Sequence, residues 1–452
     1  MDKQHENPLG VEPINHLMAR FAIPSIIAML VSALYNMVDQ FFIGHSVGMQ
    51  GNAATNVAFP LTITCTAVSL LFGIGGAANF NLSMGRKKPE EAKHFIGNAI
   101  FLMLSFGITL CLLVFLFLDP LLKLFGATAD ILTYSRTYTS ITAFGFPFVI
   151  LATGGSNLVR ADGSPNFSMA CTLIGCLINL VLDPLFIFVF HMGMAGAAWA
   201  TIIGQIISAS MVIWYLTRFK TVKLTLKELR PRAFACRRIL SLGMAPFLNQ
   251  LAIMIVQVVM NNVLVFYGGQ SVYGSEIPLA CAGIISKVNM IFFSISIGLS
   301  QGMQPIASFN YGAENYGRVR EAVIKTMTAS TLICTVAFIL FQLFPRQITG
   351  IFGSGSEEYF IFASRYFRIF LFFTFLNGIQ PVAGNFFTAI GKPVYGIFIS
   401  LTRQILFLLP LILILPQFFG IDGVLYSAPI ADFMAAVLAF FLTFRQLNKL
   451  GK

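Results

Sequence analysis

Residues 94–117 read HFIGNAIFLMLSFGITLCLLVFLF. No Asp, Glu, Lys or Arg interrupts them, and apolar residues do not alternate with polar ones. About 24 residues rising 1.5 Å each would span about 36 Å as a helix, more than the ~30 Å hydrocarbon core of a bilayer. In lipid a segment must satisfy its backbone groups as a helix or within a closed barrel, and an unalternating run of this length implies a helix.

Eleven further runs of the same kind lie on either side, at 16–43, 53–82, 133–158, 167–190, 193–216, 237–266, 277–306, 319–343, 359–388, 394–415 and 421–444. The whole chain agrees with them. Of its 452 residues 57% are hydrophobic and only 10% charged, with a mean hydropathy of +0.80. Soluble domains carry about 25% charged residues, so an ordinary cytosolic enzyme and a disordered chain are both excluded. The expected fold is all-α, a polytopic membrane protein with twelve transmembrane helices in two pseudo-symmetric six-helix bundles.

The net charge of +11 comes from 29 Lys and Arg against 18 Asp and Glu. These cations sit mainly in alternate loops, such as Arg86, Lys87, Lys88 and Lys93, and most densely in 217–238. Basic loops face the cytoplasm, which places both termini inside; they are not interleaved with exposed aromatics, so no nucleic acid is expected as a partner. The stretch 217–238 reads as a basic cytoplasmic linker between an N-lobe, residues 1–216, and a C-lobe, residues 239–452. Internal repetition supports the division. Gly85 and Gly312 open matching charged loops, and the same offset separates Gly196 from Gly423. Gly163-Ser164-Pro165 has its counterpart in Gly391-Lys392-Pro393, and Pro24 in Pro246. Halves of six helices share one topology and are related by an axis along the membrane normal, an arrangement of secondary transporters.

Seven cysteines without a C-x-x-C, five scattered histidines and the absence of an H-E-x-x-H argue against a disulfide framework or a zinc site. The first twenty residues lack the short apolar core of a signal peptide, so the first run is expected to stay as a helix. No Walker A loop occurs, and ATP is not the expected energy source. An ion gradient needs ionisable groups within the membrane, and few exist. Asp39 lies in the first run and Asp183 in the fifth; a carboxylate there costs about 2.5–3.5 kcal/mol. Counting from the run ends places both in the outer half of the bilayer. Asn179 shares a face with Asp183, Pro184 frees a carbonyl one turn back, and Thr201 reaches a comparable depth on the sixth run. Together they could hold a proton or Na⁺; the structural alternative leaves Asp39 interfacial and Asp183 a packing residue. Lys287, Arg403 and Asp432 are the charged residues inside C-lobe runs, and Asp432 could pair with either cation or line a cavity.

These marks in order (Pro24, Tyr35 to Gly44, Met84-Gly85, Arg160 to Pro165, and Asn179-x-x-x-Asp183-Pro184) resemble the multidrug and toxic compound extrusion family, in its prokaryotic DinF-like and MepA-like branch. The resemblance covers nearly the whole chain. It implies a secondary active transporter of a bacterial or archaeal plasma membrane, not an enzyme. Its partners would be the lipid bilayer and cationic or aromatic small molecules, drugs or metabolites, exported by antiport with H⁺ or Na⁺. It also implies a monomer, with no cofactor beyond the coupling ion. Asp39, Asn179, Asp183 and Thr201 fall on the family's N-lobe cation site, where Na⁺ would rest on Asp39, Asn179 and Asp183. Pro24 falls on the bending point of the first helix, and Tyr35 beside the site. Pro24, Tyr35, Asn36, Lys287, Arg403 and Asp432 are the expected gating or pocket residues. The other bacterial branch adds C-lobe carboxylates where this chain has Gln250, Gln257 and Asn377, which favours the N-lobe site. A flippase for a lipid-linked precursor is the alternative within the wider superfamily. A membrane enzyme would need a metal or Ser/His constellation that is not seen.

Overall fold

The computed structural model describes residues 7–352 and 356–450. Among them, ten helices are long and apolar enough to cross a membrane, and two bent pairs bring the number to twelve. They are α1 Ile14–Val47, α2 Met49–Gly85, α3 Pro89–Leu116, the pair α4 Ala129–Phe144 and Phe146–Ala161, α5 Pro165–Val189 and α6 Gly193–Leu216. The second set is α7 Ala233–Gly269, α8 Glu276–Gly312, α9 Tyr316–Leu343, the pair α10 Glu357–Phe370 and Thr374–Ala389, α11 Pro393–Phe419 and α12 Ile421–Leu447. The chain is thus an all-helical, multi-pass membrane protein.

Two runs that read as single helices are broken. The α4 pair meets at 54° around Gly145, where Pro147 opens the second piece without an N–H to give to the first. The α10 pair meets at 42° across the three residues 371–373, and its second piece opens with a short 3-10 turn, Thr374–Leu376. Other helices outrun their apolar cores: α1, α2, α7 and α8 reach 34 to 37 residues, because polar flanks continue the hydrogen-bond ladder beyond the hydrocarbon. The connection between α7 and α8 spans residues 270–275.

The cores are partly exchanged between the two sets. One apolar cluster combines residues of α2 to α6 with Ala235 and Ile239 from the start of α7. Another combines α8, α9, α10 and α12 with Ile14, Leu17 and Phe21 from the start of α1. Farther along, Ile43 of α1 packs on Ile187, Met194 and Ala197 of its own set, and Val256, Met260 and Leu264 of α7 return to theirs. Pro24 and Pro246 therefore sit where each helix passes from one core to the other.

The sets meet through glycine. In lipid, close backbone approach and dispersion replace the hydrophobic drive, so small residues mark helix contacts. A Cβ on Gly298 would stand 2.6 Å from the Ile26 Cα, and one on Gly302 2.6 Å from the Ala22 Cα. Gly75 and Gly243 likewise press on the backbones of Ile239 and Leu71, and Gly85 and Gly312 on those of Phe309 and Leu82. All of these lie in the half of the bundle nearer the described chain ends, so the two sets are joined most tightly there.

Candidate functional site

The deeper half of α1 packs along α5, and this contact builds the site. α1 supplies Tyr35 and Asp39, α5 supplies Asn179 and Asp183, α6 supplies Thr201, and the first piece of α4 supplies Tyr138. The carboxyls of Asp39 and Asp183 stand within direct interaction distance, and Tyr35 and Tyr138 flank both. Asp183 is 1% exposed and Asn179 2%. The Asn179 amide satisfies its neighbours when its nitrogen donates to Asp183 Oδ2 at 2.8 Å and its oxygen accepts from the Thr201 backbone N–H at 2.9 Å. The Thr201 hydroxyl lies 3.3 Å from the same amide and donates to the Ala197 carbonyl at 3.0 Å. Asp39 Oδ1 is buried with no hydrogen-bond partner.

The local sequence explains this polar cluster. Asn179 and Asp183 are one turn apart on α5. Pro184 then lacks an N–H, and the helix widens into a π-turn over Leu185–Val189, so the ladder is irregular beside the carboxyl. Among the described residues no Lys, Arg or His pairs with Asp39 or Asp183. Two acidic groups in a low-dielectric pocket repel unless a proton or cation lies between them. The donors are carboxylate, amide and hydroxyl oxygens, suited to a hard monovalent cation or a proton. No group of three or more His, Cys, Asp or Glu side chains is gathered among the described residues.

The other candidates fall elsewhere. Pro24 is buried and Asn36 exposed, its amide donating to the Ser32 carbonyl at 2.7 Å. Asp432 of α12 pairs with Arg403 of α11 at 2.5 Å and accepts from Asn377 of α10 at 3.1 Å. Of the two partners open to Asp432, Arg403 is the one that binds it. Lys287 is exposed on α8 and forms no ion pair among the described residues, because its long side chain leaves the interior. Gln257 donates to Asn261 at 3.0 Å within α7.

Some residues carried no individual signal. Tyr138 is one; its only mark is a polar stretch, Ser135 to Ser140, inside an otherwise apolar span. Gln301 is another. Arg160, 5% exposed, donates to Asn157 Oδ1 at 3.2 Å and, across the sets, to Gln301 Oε1 at 3.1 Å. Two residues on, Asp162 accepts from the Tyr215 hydroxyl at 2.8 Å and from the Lys220 and Thr221 backbone N–H groups at 2.7 and 3.0 Å. Burial pushes its carboxyl above the usual range, and the bonds from Thr221, Lys220 and Tyr215 pull it back. The segment Arg160 to Pro165 thus has two tasks: one side chain reaches into the interior, and another fastens the connection after α6.

Known proteins repeat this architecture. The chain is 26% identical to the multidrug export protein MepA of Staphylococcus haemolyticus over 434 residues, 96% of this chain and 94% of that protein. It is 24% identical to MepA of Staphylococcus aureus, covering 97% and 95%. An outward-facing multidrug resistance MATE family transporter of the MOP superfamily superposes with a TM-score of 0.91 at 21% identity, over 100% of this chain and 99% of that one. A MOP superfamily transporter from Pyrococcus furiosus, described as having a binding pocket of reversed polarity, gives 0.92 at 21% identity over 100% of both. These superpositions establish the fold. The MatE family model matches residues 24–185 and again 251–414, so parts of both halves of the repeat fall within it, with Asp39, Asn179 and Asp183 but not Thr201, and the chain belongs to the MatE family.

Proposed function

We propose that this protein is a multidrug exporter that moves cationic or aromatic small molecules out of the cell by antiport with H⁺ or Na⁺. The coupling site is the Asp39, Asn179, Asp183 and Thr201 cluster. What supports this most is the pairing of buried Asp183 with half-buried Asp39, whose Oδ1 is buried without a hydrogen-bond partner, and the absence of a basic partner for either among the described residues. Such a pair is stable when a proton or cation neutralises it, and substrate arriving in the same lobe favours release. Mutual exclusion of this kind is a reciprocal coupling free energy, and antiport requires it. Tyr35 and Tyr138 wall the site, and Pro24 is the hinge through which ion occupancy changes the shape of α1. Arg403 and Asp432 bind each other and shape the second lobe. The protein acts as a monomer in a bacterial or archaeal plasma membrane, as an N-lobe of residues 1–216 and a C-lobe of residues 239–452 joined by a cytoplasmic linker.

The test is ethidium movement in proteoliposomes under an imposed proton gradient and, separately, a Na⁺ gradient. One of the two should drive transport, and collapsing it with the matching ionophore should stop it. If neither gradient moves ethidium or another cationic dye through folded protein, the reading fails.

A further inference from the structure

A groove of about 840 Å³ runs along α12 on the outside of the bundle, walled by Leu376 and Ile379 of α10 and by Phe433, Val437 and Phe441 of α12. Its deeper part is apolar, and Arg445, Asn448 and Lys449 line its far end. From Phe433 to Lys449 a helix advances about 24 Å. One leaflet with its headgroups is about 20–22 Å deep. The groove therefore begins near the middle of the hydrocarbon and ends at the headgroups, on the side of the described chain ends.

Charge at that end is one-sided. Arg445 and Lys449 are exposed and one turn apart. Lys392, in the loop before α11, donates to Gln446 Oε1 at 2.7 Å, on the same turn of α12. Among the described residues none of the three has an acidic partner. Burial, and then the nearby Lys449, hold the Lys392 amine below its usual value, so these cations stand close enough to repel. Offsetting the negative end of α12 needs no more than the one charge of Arg445. An anion between the three would relieve the repulsion, and an apolar chain below it would fill the groove.

We propose that this groove is a binding site for an anionic phospholipid of the leaflet on the side of the chain ends, with its phosphate on Arg445, Lys449 and Lys392 and an acyl chain lying between Phe433, Val437 and Phe441. A zwitterionic lipid of the same chains brings a choline cation to this end and binds more weakly. Free phosphate has the charge without the chain and does not fill the groove. Basic pockets between membrane helices recognise lipid headgroups through these two features together.

Native mass spectrometry of the full chain in detergent tests this, with phosphatidylglycerol, phosphatidylcholine of matched chains or inorganic phosphate added. Phosphatidylglycerol should be retained as a one-to-one adduct, phosphatidylcholine much less, and phosphate not at all. The double variant Arg445→Gln/Lys449→Gln should weaken phosphatidylglycerol retention by about twenty-five-fold, roughly fivefold for each cation. Val437→Trp, which fills the groove and leaves every charge in place, should also remove the adduct, and it decides the matter if the double variant does not fold. Arg218→Gln, which removes a cation stacked 4.7 Å above Trp214 elsewhere on that side, should change nothing. Equal retention of both lipids, or full retention by Val437→Trp, overturns the proposal.

Discussion

A carboxylate inside a membrane span is costly, so its neighbours reveal how it is tolerated. Asp432 is neutralised by Arg403 and further bonded by Asn377. Asp183 has only an amide donor beside it, and beyond that a second carboxyl. The first arrangement is complete, and the second waits for a positive charge. Different outcomes follow from the two. Arg403→Ala leaves Asp432 buried and uncompensated, which should destabilise the fold by about 3–5 kcal/mol, read as an earlier thermal transition of the purified protein. Asp183→Asn keeps size and hydrogen bonding while removing the charge. It should lower gradient-driven ethidium efflux by about tenfold or more, a barrier change of at least ~1.4 kcal/mol, with membrane insertion intact. Asp39→Asn should do the same. If both variants pump at the wild-type rate under both gradients, coupling lies elsewhere.

Among the helices, α1 and α7 share one role. Each begins in the core of one set and ends in the core of the other, and each carries a proline at the crossing. A proline at that point loses one intrahelical bond and pushes on the carbonyl one turn earlier, so the helix flexes where the two cores meet. Pro24→Ala restores the bond and should slow transport severalfold at unchanged expression; wild-type turnover would count against the hinge. The glycine contacts act in the opposite sense, by holding α1 against α8. Gly302→Leu would place bulk against the Ala22 backbone and force the sets apart at the end nearer the termini. Spin labels at Lys88, exposed just before α3, and Arg320, exposed in the first turns of α9, should report a longer mean distance in that variant. An unchanged distance distribution would show that the seam does not set the spacing.

Across the whole molecule the glycine seam and the Arg160–Gln301 bond close one end of the interface between the sets. The proposed transport cycle requires that end to open, so the side of the membrane it faces decides whether this conformation is open to the inside or to the outside. The orientation proposed from the basic loops puts that end toward the cytoplasm. Leu226, 83% exposed in the segment after α6, offers a clean reporter because the seven native cysteines are buried or half-buried. Leu226→Cys should react with an impermeant maleimide in permeabilised cells and not in intact ones. Labelling of intact cells would reverse the orientation.

Much of this was legible along the chain. Spans could be counted because lipid demands about 20 unbroken apolar residues, a local property. The repeat was legible because glycine and proline keep their spacing. Asp39, Asn179, Asp183 and Thr201 could be grouped because helical rise converts sequence position into depth, and residues at one depth can meet. Depth does not give azimuth. Which face of α1 turns to α5, and that Tyr138 closes the pocket, depend on how the helices rotate and pack. Packing likewise chose Arg403 over Lys287 for Asp432. The exchange of α1 and α7 between cores was also unreadable, since an apolar helix is equally at home against any neighbour and only shape complementarity separates one partner from another. Composition and periodicity thus determined the class of the fold and the depth of its charges; the tertiary structure alone decided which charges meet, because meeting depends on rotation about helix axes that the sequence pattern leaves free.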